Sequence, residues 1–253
     1  MLYTNNQLMK EKIRNNFDKA CQTYDTHCDI QNNICENSIE LLLKYNRNFF
    51  SIGDFACGTG ESTLKLINSV HYHSCYAVDF SEKLLSVAKS KLPNHVRFFL
   101  ADFDHKILFG DQLDLIFCNM GLQWSFDLLN TLKLFHEYLY KNGLIIFSMP
   151  IYPNFPEIHE QYKLKTHDHA EIIKMLNLAN FKLINYKRTD ITEKFNSTIE
   201  ALKPLKYTGV NCGNIFKNFN RKGLSKRFLN NIFTENNLFT LTYNIGIYLA
   251  KKK

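Results

Sequence analysis

The chain has 253 residues, 45% of them hydrophobic and 22% charged, with a formal net charge of +7. That is enough apolar material for a sizeable core, as one large α/β domain or two small ones. No apolar run approaches the roughly 18 residues of a membrane-spanning helix, and the opening MLYTNNQLMKEKIRNNF lacks the apolar centre of a secretory signal, so a cytoplasmic protein with no membrane partner is expected.

In chain order, the first sixth, up to about Asn46, reads as helical. A βα rhythm begins after residue 48. FFSIGDFA is a strand and ESTLKLINSV a helix; SCYAVDF is a strand and SEKLLSVAKSKL a helix with Ser81 as its N-cap. VRFFLADF and LDLIFCNM are the third and fourth strands. LLNTLKLFHEYLY has helical spacing, and Asn142-Gly143 closes it before a fifth strand, LIIFSMP. Such alternation predicts a parallel sheet with helices on both faces. Later come a helix, HAEIIKMLNLANF, a long strand, FKLINYKRTDI, helical TIEALKPLKYTG and LSKRFLNNIF, and a final strand, FTLTYNIGIYLA. The sheet is thus completed late, with helices above it.

Seven cysteines without a CxxC pair argue against a disulfide framework and against a zinc site. Cys21, Cys28 and Cys35, seven residues apart, read as small apolar residues on helical faces, and no metal is expected. The charge is uneven: residues 150–253 hold 17 Lys and Arg against 8 Asp and Glu, and Lys203 to Arg227 contains seven basic residues and no acidic one. A solvated basic face accounts for this as well as an acidic partner does, whether nucleic acid, acidic protein or anionic substrate.

The stretch DFACGTGEST carries the most information. Glycines between a strand and a helix let the backbone approach a ligand closely. The dinucleotide fingerprint wants a third glycine inside the helix, where Thr63 stands, and a pyrophosphate has little use for the carboxylate of Asp54 at the strand tip. A sulfonium nucleoside, S-adenosylmethionine, suits the pattern better. Asp54 is placed to act on its ammonium through the turn Ala56-Cys57-Gly58-Thr59-Gly60. Asp79, followed by Phe80, is placed to accept from the ribose diol, and Asp102 from the adenine amino group, with Phe103 against the ring. Asn119 ends the fourth strand on the same edge, where ligands of open parallel sheets bind. Ala56 adds one methyl to the turn at a position where a negative φ is expected.

With these residues in place, the sequence resembles the class I S-adenosylmethionine-dependent methyltransferases. Within them it resembles the malonyl-[acyl-carrier protein] O-methyltransferase family of biotin synthesis. The likeness rests on Phe17, Ala20, Tyr24 and Gln31 of NNFDKACQTYDTHCDIQ, on CNMGLQW (118–124), FPEIHEQY (155–162), ALKPLKYTGVN (201–211) and the last strand. Ala56 replaces a glycine, Lys203 an arginine, Val210 an alanine and Cys28 an alanine of that pattern.

The resemblance implies one domain over 1–253 with a Rossmann-like sheet of seven strands, mostly parallel with an antiparallel last strand. N-terminal helices would occupy 1–46, and lid helices 153–165 and 196–235. It implies methyl transfer to the free carboxylate of malonyl-loaded acyl carrier protein. That carboxyl has a pKa of roughly 3 to 4 and is already ionised at neutral pH, so no general base is required. Tyr24, Gln123, Trp124, Lys203 and Lys206 are the substrate-positioning candidates. Lysine at 203 keeps the charge but not the bidentate fork of arginine. Other readings stay open: a methyltransferase of this fold for another small carboxylic acid or a quinone precursor, an RNA methyltransferase, a NAD-binding oxidoreductase, or a non-enzymatic carrier-protein binder. The RNA reading has no NPPY-like sequence after the fourth strand to support it, and no nucleic acid partner is expected.

Overall fold

The computed structural model describes residues 5–163, 165–207, 232 and 239–253. Seven strands form one sheet in the order β3-β2-β1-β4-β5-β7-β6. They are β1 (Ser51–Phe55), β2 (Ser74–Asp79), β3 (Arg97–Leu100), β4 (Leu113–Asn119), β5 (Leu139–Pro150), β6 (Phe181–Lys194) and β7 (Thr240–Lys252). β7 runs antiparallel between β5 and β6, and the pairings of β1 to β5 are parallel. This is the expected seven-stranded Rossmann-like arrangement. The chain winds outward from β1 in one direction and from β4 in the other, so a crevice opens between their C-terminal ends, the switch point where such sheets bind ligands.

The helices are α1 (Asn5–Ala20), α2 (Asp29–Leu43), α3 (Glu61–Ser69), α4 (Glu82–Lys91), α5 (Leu128–Tyr138), α6 (His169–Leu178) and α7 (Thr198–Tyr207). Central strands buried on both faces read as continuous apolar runs, and every residue of β1 is buried. Their two faces feed two cores. Ile52, Leu115, Phe117 and Ile146 pack with α2, α3 and α4, while Phe55, Tyr76, Ile116 and Phe147 pack with α1, α5 and α6. Ser81 caps α4 by accepting from Leu84 N–H at 3.1 Å, as its position predicts.

Three expectations are corrected. Asn142-Gly143 does not end α5; the helix stops at Tyr138, and Asn142, with φ 68°, sits inside β5 where its register against β4 shifts. A bulge absorbs such a left-handed residue without ending the strand. Residues 153–165 do not form a lid helix: the described residues there hold only a 3-10 turn, Glu160–Tyr162, in keeping with Pro153 and Pro156, which deny the backbone donors a helix needs. β6 continues to Lys194, beyond the predicted FKLINYKRTDI. LSKRFLNNIF, apart from Ile232, lies outside the described residues, as do Lys217, Arg221, Lys222, Lys226, Arg227 and Val210.

Candidate functional site: the ends of β1 to β4

Asp54, next to last in β1, and Asp79, last in the neighbouring β2, are both buried. One oxygen of Asp54 accepts from Ser62 Oγ at 2.8 Å and Thr63 Oγ1 at 2.6 Å, hydroxyls of the first turn of α3. The other oxygen is buried without a partner. Burial pushes the Asp54 carboxyl up to about 7, against those hydrogen bonds. Thr63, in the place of a third glycine, thus serves to hold the strand-tip carboxylate.

Asp79 accepts from Gly58 N–H and Ser81 N–H, each at 2.9 Å, so its carboxylate ties the glycine turn to the entry of α4. Each oxygen keeps a lone pair for a further donor. Burial pushes this carboxyl up to about 6. The turn itself is held by Cys57 N–H donating to Val78 O at 3.0 Å. The Cys57 thiol points into the core, so only its backbone belongs to the site. Gly58 and Gly60 have positive φ, and a Cβ on Gly58 would meet nothing within 4 Å, which leaves open space beside the turn.

The expected negative φ of Ala56 is wrong. It has φ 60°, and Met120, just past the end of β4, has φ 52°. Left-handed non-glycine residues thus stand just past the ends of both β1 and β4, the kind of backbone strain that clusters at working sites.

Asp102 has a partner that the sequence did not suggest. Lys10 Nζ lies 3.0 Å from Asp102 and 2.8 Å from Asp104, donates to Trp124 O at 3.1 Å, and sits 4.8 Å from the Phe103 ring centre and 5.8 Å from that of Phe80. A cavity of about 360 Å³ opens beside it, lined in part by Arg14, Phe80, Ala101 and Asp102. The same N-terminal segment reaches the other strand ends. Asp18 accepts from Ser81 Oγ at 2.5 Å and Asp25 from Thr59 Oγ1 at 2.5 Å, while Asn119 Nδ2 donates to Gln31 O at 2.9 Å. Asn119 spends its oxygen on Ser148 Oγ at 2.8 Å, so its side chain braces α2 over β4 and β5.

Phe17 stands edge-on to Trp124 at 5.6 Å and to Phe80 at 6.2 Å, and 6.4 Å from Tyr24. Trp124 is buried in the core that α1 and α5 share. Burial, with Cys28 and then Asp79 adding to it, pushes the Tyr24 hydroxyl well above its ordinary pKa, so it remains a neutral donor. Gln123 Nε2 donates to Met120 O at 2.6 Å, and its oxygen is buried without a partner. Lys203 is exposed on α7, whose Ala201 and Leu202 are buried; the structure does not bring it into the carboxylate cluster. The side chain of Lys206 lies outside the described residues. Phe17, Tyr24 and Gln31 were marked in the sequence only by the family likeness; Lys10, Asp18 and Asp25 carried no signal, because their partners are 94, 63 and 34 residues away.

These residues fit a cationic nucleoside: an orphaned buried carboxylate oxygen seeks a donor, and aromatic rings stand at the edge. Residues 52–143 match the family profile described as "Methyltransferase domain". Among solved structures, the YcgJ protein from Bacillus subtilis is similar with TM-score 0.60 at 14% identity, over 86% of this chain and 99% of its own. Magnesium protoporphyrin IX methyltransferase from Synechocystis PCC 6803, solved with bound SAM, has TM-score 0.52 at 16% identity, over 88% of this chain and 79% of its own. A mostly parallel sheet whose winding reverses between the paired strands β1 and β4, with a glycine turn and buried carboxylates at that point, is the framework of the S-adenosylmethionine-dependent methyltransferases, and this chain is one of them. Malonyl-[acyl-carrier protein] O-methyltransferase 2 of Coxiella burnetii is 38% identical over 245 residues, covering 96% of this chain and 97% of that protein. The chain belongs to the malonyl-[acyl-carrier protein] O-methyltransferase family.

Proposed function

We propose that this protein methylates the free carboxylate of malonyl-[acyl-carrier protein], giving the methyl ester that primes pimeloyl synthesis for biotin. The observation that carries the reading is the near full-length similarity to the Coxiella burnetii relative. A second relative, malonyl-[acyl-carrier protein] O-methyltransferase 1 of Ilyobacter polytropus, is 25% identical over 96% of this chain and 95% of its own.

S-adenosylmethionine supplies an activated methyl group when bound. Asp54 and the turn 56–60 hold its amino-acid end, Asp79 its ribose, and Asp102 with Phe80 and Phe103 its adenine. Burial of Asp54 and Asp79 leaves them short of solvation, so a cation restores what water no longer provides. The acceptor oxygen needs no base, because it is already ionised. The chain's remaining work is alignment and exclusion of water, and Phe17, Tyr24 and Trp124 supply the apolar wall for it. Lys203 and Lys206 draw in the acidic carrier protein. An ammonium bonded tightly to the nucleophile would quench it, so an exposed lysine suits capture better than catalysis.

Mass spectrometry of malonyl-loaded carrier protein incubated with the protein and donor tests this. A gain of one methyl is expected, absent with Asp79→Ala. Methylation of free small acids with the carrier protein untouched would instead favour a small-acid methyltransferase of the same fold.

A further inference from the structure

Among the described residues, four buried side-chain polar atoms have no hydrogen-bond partner: Gln31 Oε1, Asp54 Oδ1, Gln123 Oε1 and Thr189 Oγ1. An unpaired buried acceptor gives up its water without replacement, so such atoms are few in a folded protein. Three of these four belong to one place.

Asp54 pairs in register with Phe117 on β4, two residues before Asn119. Asn119 Nδ2 holds the carbonyl of Gln31 at 2.9 Å and so seats the first turn of α2 over the end of β4. Gln123 follows in the 3-10 turn Leu122–Trp124, anchored to Met120 O through its amide nitrogen, which leaves its oxygen free to accept. The residue before that turn abuts the end of β1: a Cβ on Gly121 would stand 2.6 Å from the Cβ of Ala56, two residues after Asp54. Asp54, Gln31 and Gln123 therefore lie on three elements that meet at the C-terminal ends of the paired strands β1 and β4.

All three orphan atoms are acceptors. No donor among the described residues answers them, although both glutamines carry an amide nitrogen. A group with three N–H donors and no acceptor, an alkylammonium, is their chemical complement. One carboxylate answers the single positive charge, and the two amide oxygens supply the remaining acceptors. We propose that Gln31 and Gln123 complete, with Asp54, a three-point acceptor for the α-ammonium of the bound donor, so that the first turn of α2 reads the amino-acid end of the ligand. This rests on the donor placement given above and extends it to residues outside the glycine turn.

Gln31 is the cleaner probe, since its backbone carbonyl, not its side chain, holds Asn119. Calorimetry compares S-adenosylhomocysteine with the analogue in which hydrogen replaces the α-amino group, on the wild-type protein, Gln31→Leu and Gln31→Glu. Leucine fills similar space without an acceptor, whereas a glutamate offers one whether ionised or protonated. Gln31→Leu is expected to weaken S-adenosylhomocysteine about tenfold or more, as for a lost hydrogen bond to a charged group, and to leave the deamino analogue within about twofold. Gln31→Glu is expected to retain S-adenosylhomocysteine within about threefold. Equal loss for both ligands, or no loss in Gln31→Leu, or a glutamate variant as weak as the leucine variant, would overturn the ammonium assignment alone. A wild-type protein that binds neither nucleoside overturns the donor placement and this inference with it.

Discussion

Ala56 and Gly121 exclude each other's enlargement: a methyl on Gly121 would lie 2.6 Å from the Cβ of Ala56 and 2.8 Å from Cys118 Sγ. Real Cβ atoms do not approach so closely. The methyl that replaces hydrogen at position 56 takes up the space that glycine leaves at 121. Gly121→Ala is expected to destabilise the fold by about 2 kcal/mol through overpacking. Ala56→Gly removes a left-handed alanine and is expected to stabilise by about 1 kcal/mol, a rise of about 2–4 °C in Tm. In a denaturation double-mutant cycle the pair should couple favourably, with part of the Gly121→Ala cost returned in the double variant. Strict additivity would show that the two Cβ positions do not compete.

On the proposed placement, the carboxyls of Asp54, pushed up to about 7, and Asp79, pushed up to about 6, are expected to make donor binding pH-dependent. Both are raised above the ordinary 3.8, so their protonated forms favour the folded, ligand-free protein. That stabilisation is complete below about pH 4 and is lost as pH rises through about 6 and 7. A cationic ligand requires the ionised forms. Affinity for S-adenosylmethionine should therefore climb between about pH 5.5 and 7.5, with net proton release at pH 6. Calorimetry in two buffers of different ionisation enthalpy measures that release, and proton uptake would contradict the placement. Asp54→Asn should flatten the upper part of the rise.

Lys10 supports the β3 end from α1. Asp104 is pushed upward by its burial, yet Lys10 and the donors Phe126 N–H and Thr131 Oγ1 outweigh this and hold it below the ordinary range. A depressed carboxyl stabilises above its unfolded pKa and ceases to do so as pH falls through its folded value. Lys10→Met is expected to cost about 2 kcal/mol in urea at pH 7, less than the 3–5 kcal/mol typical of breaking a fully buried pair, because both partners remain partly exposed. The deficit should shrink as pH falls from about 4 through the depressed folded value of Asp104.

Lys203 lies apart from the carboxylate cluster, so a reversal of its charge should separate partner capture from donor binding. Lys203→Glu is expected to raise the KM for malonyl carrier protein several-fold, more so at low salt. The affinity for S-adenosylhomocysteine should stay within about twofold. Equal loss of both would place the residue in the donor site instead.

What could be read from the chain alone was whatever chemistry is local. The βα rhythm, the Ser81 cap, the glycine turn and the carboxylates at 54, 79 and 102 are short-range patterns. Parallel-sheet topology turns such strand-end residues into neighbours without further information. The positive φ of Ala56 occurs in a turn packed against Gly121, a neighbour distant in sequence. The helix expected over 153–165 failed at its prolines, a local cue outweighed by the likeness to the family. The roof of the site, Lys10 over Asp102, Asp18 on Ser81, Asp25 on Thr59 and Gln31 beside Asn119, was decided only by the tertiary structure. Contacts that span dozens of residues leave no periodicity in the sequence. They form because packing on the two sheet faces lays the N-terminal helices across the ends of β1 to β4, where buried polar groups must find partners.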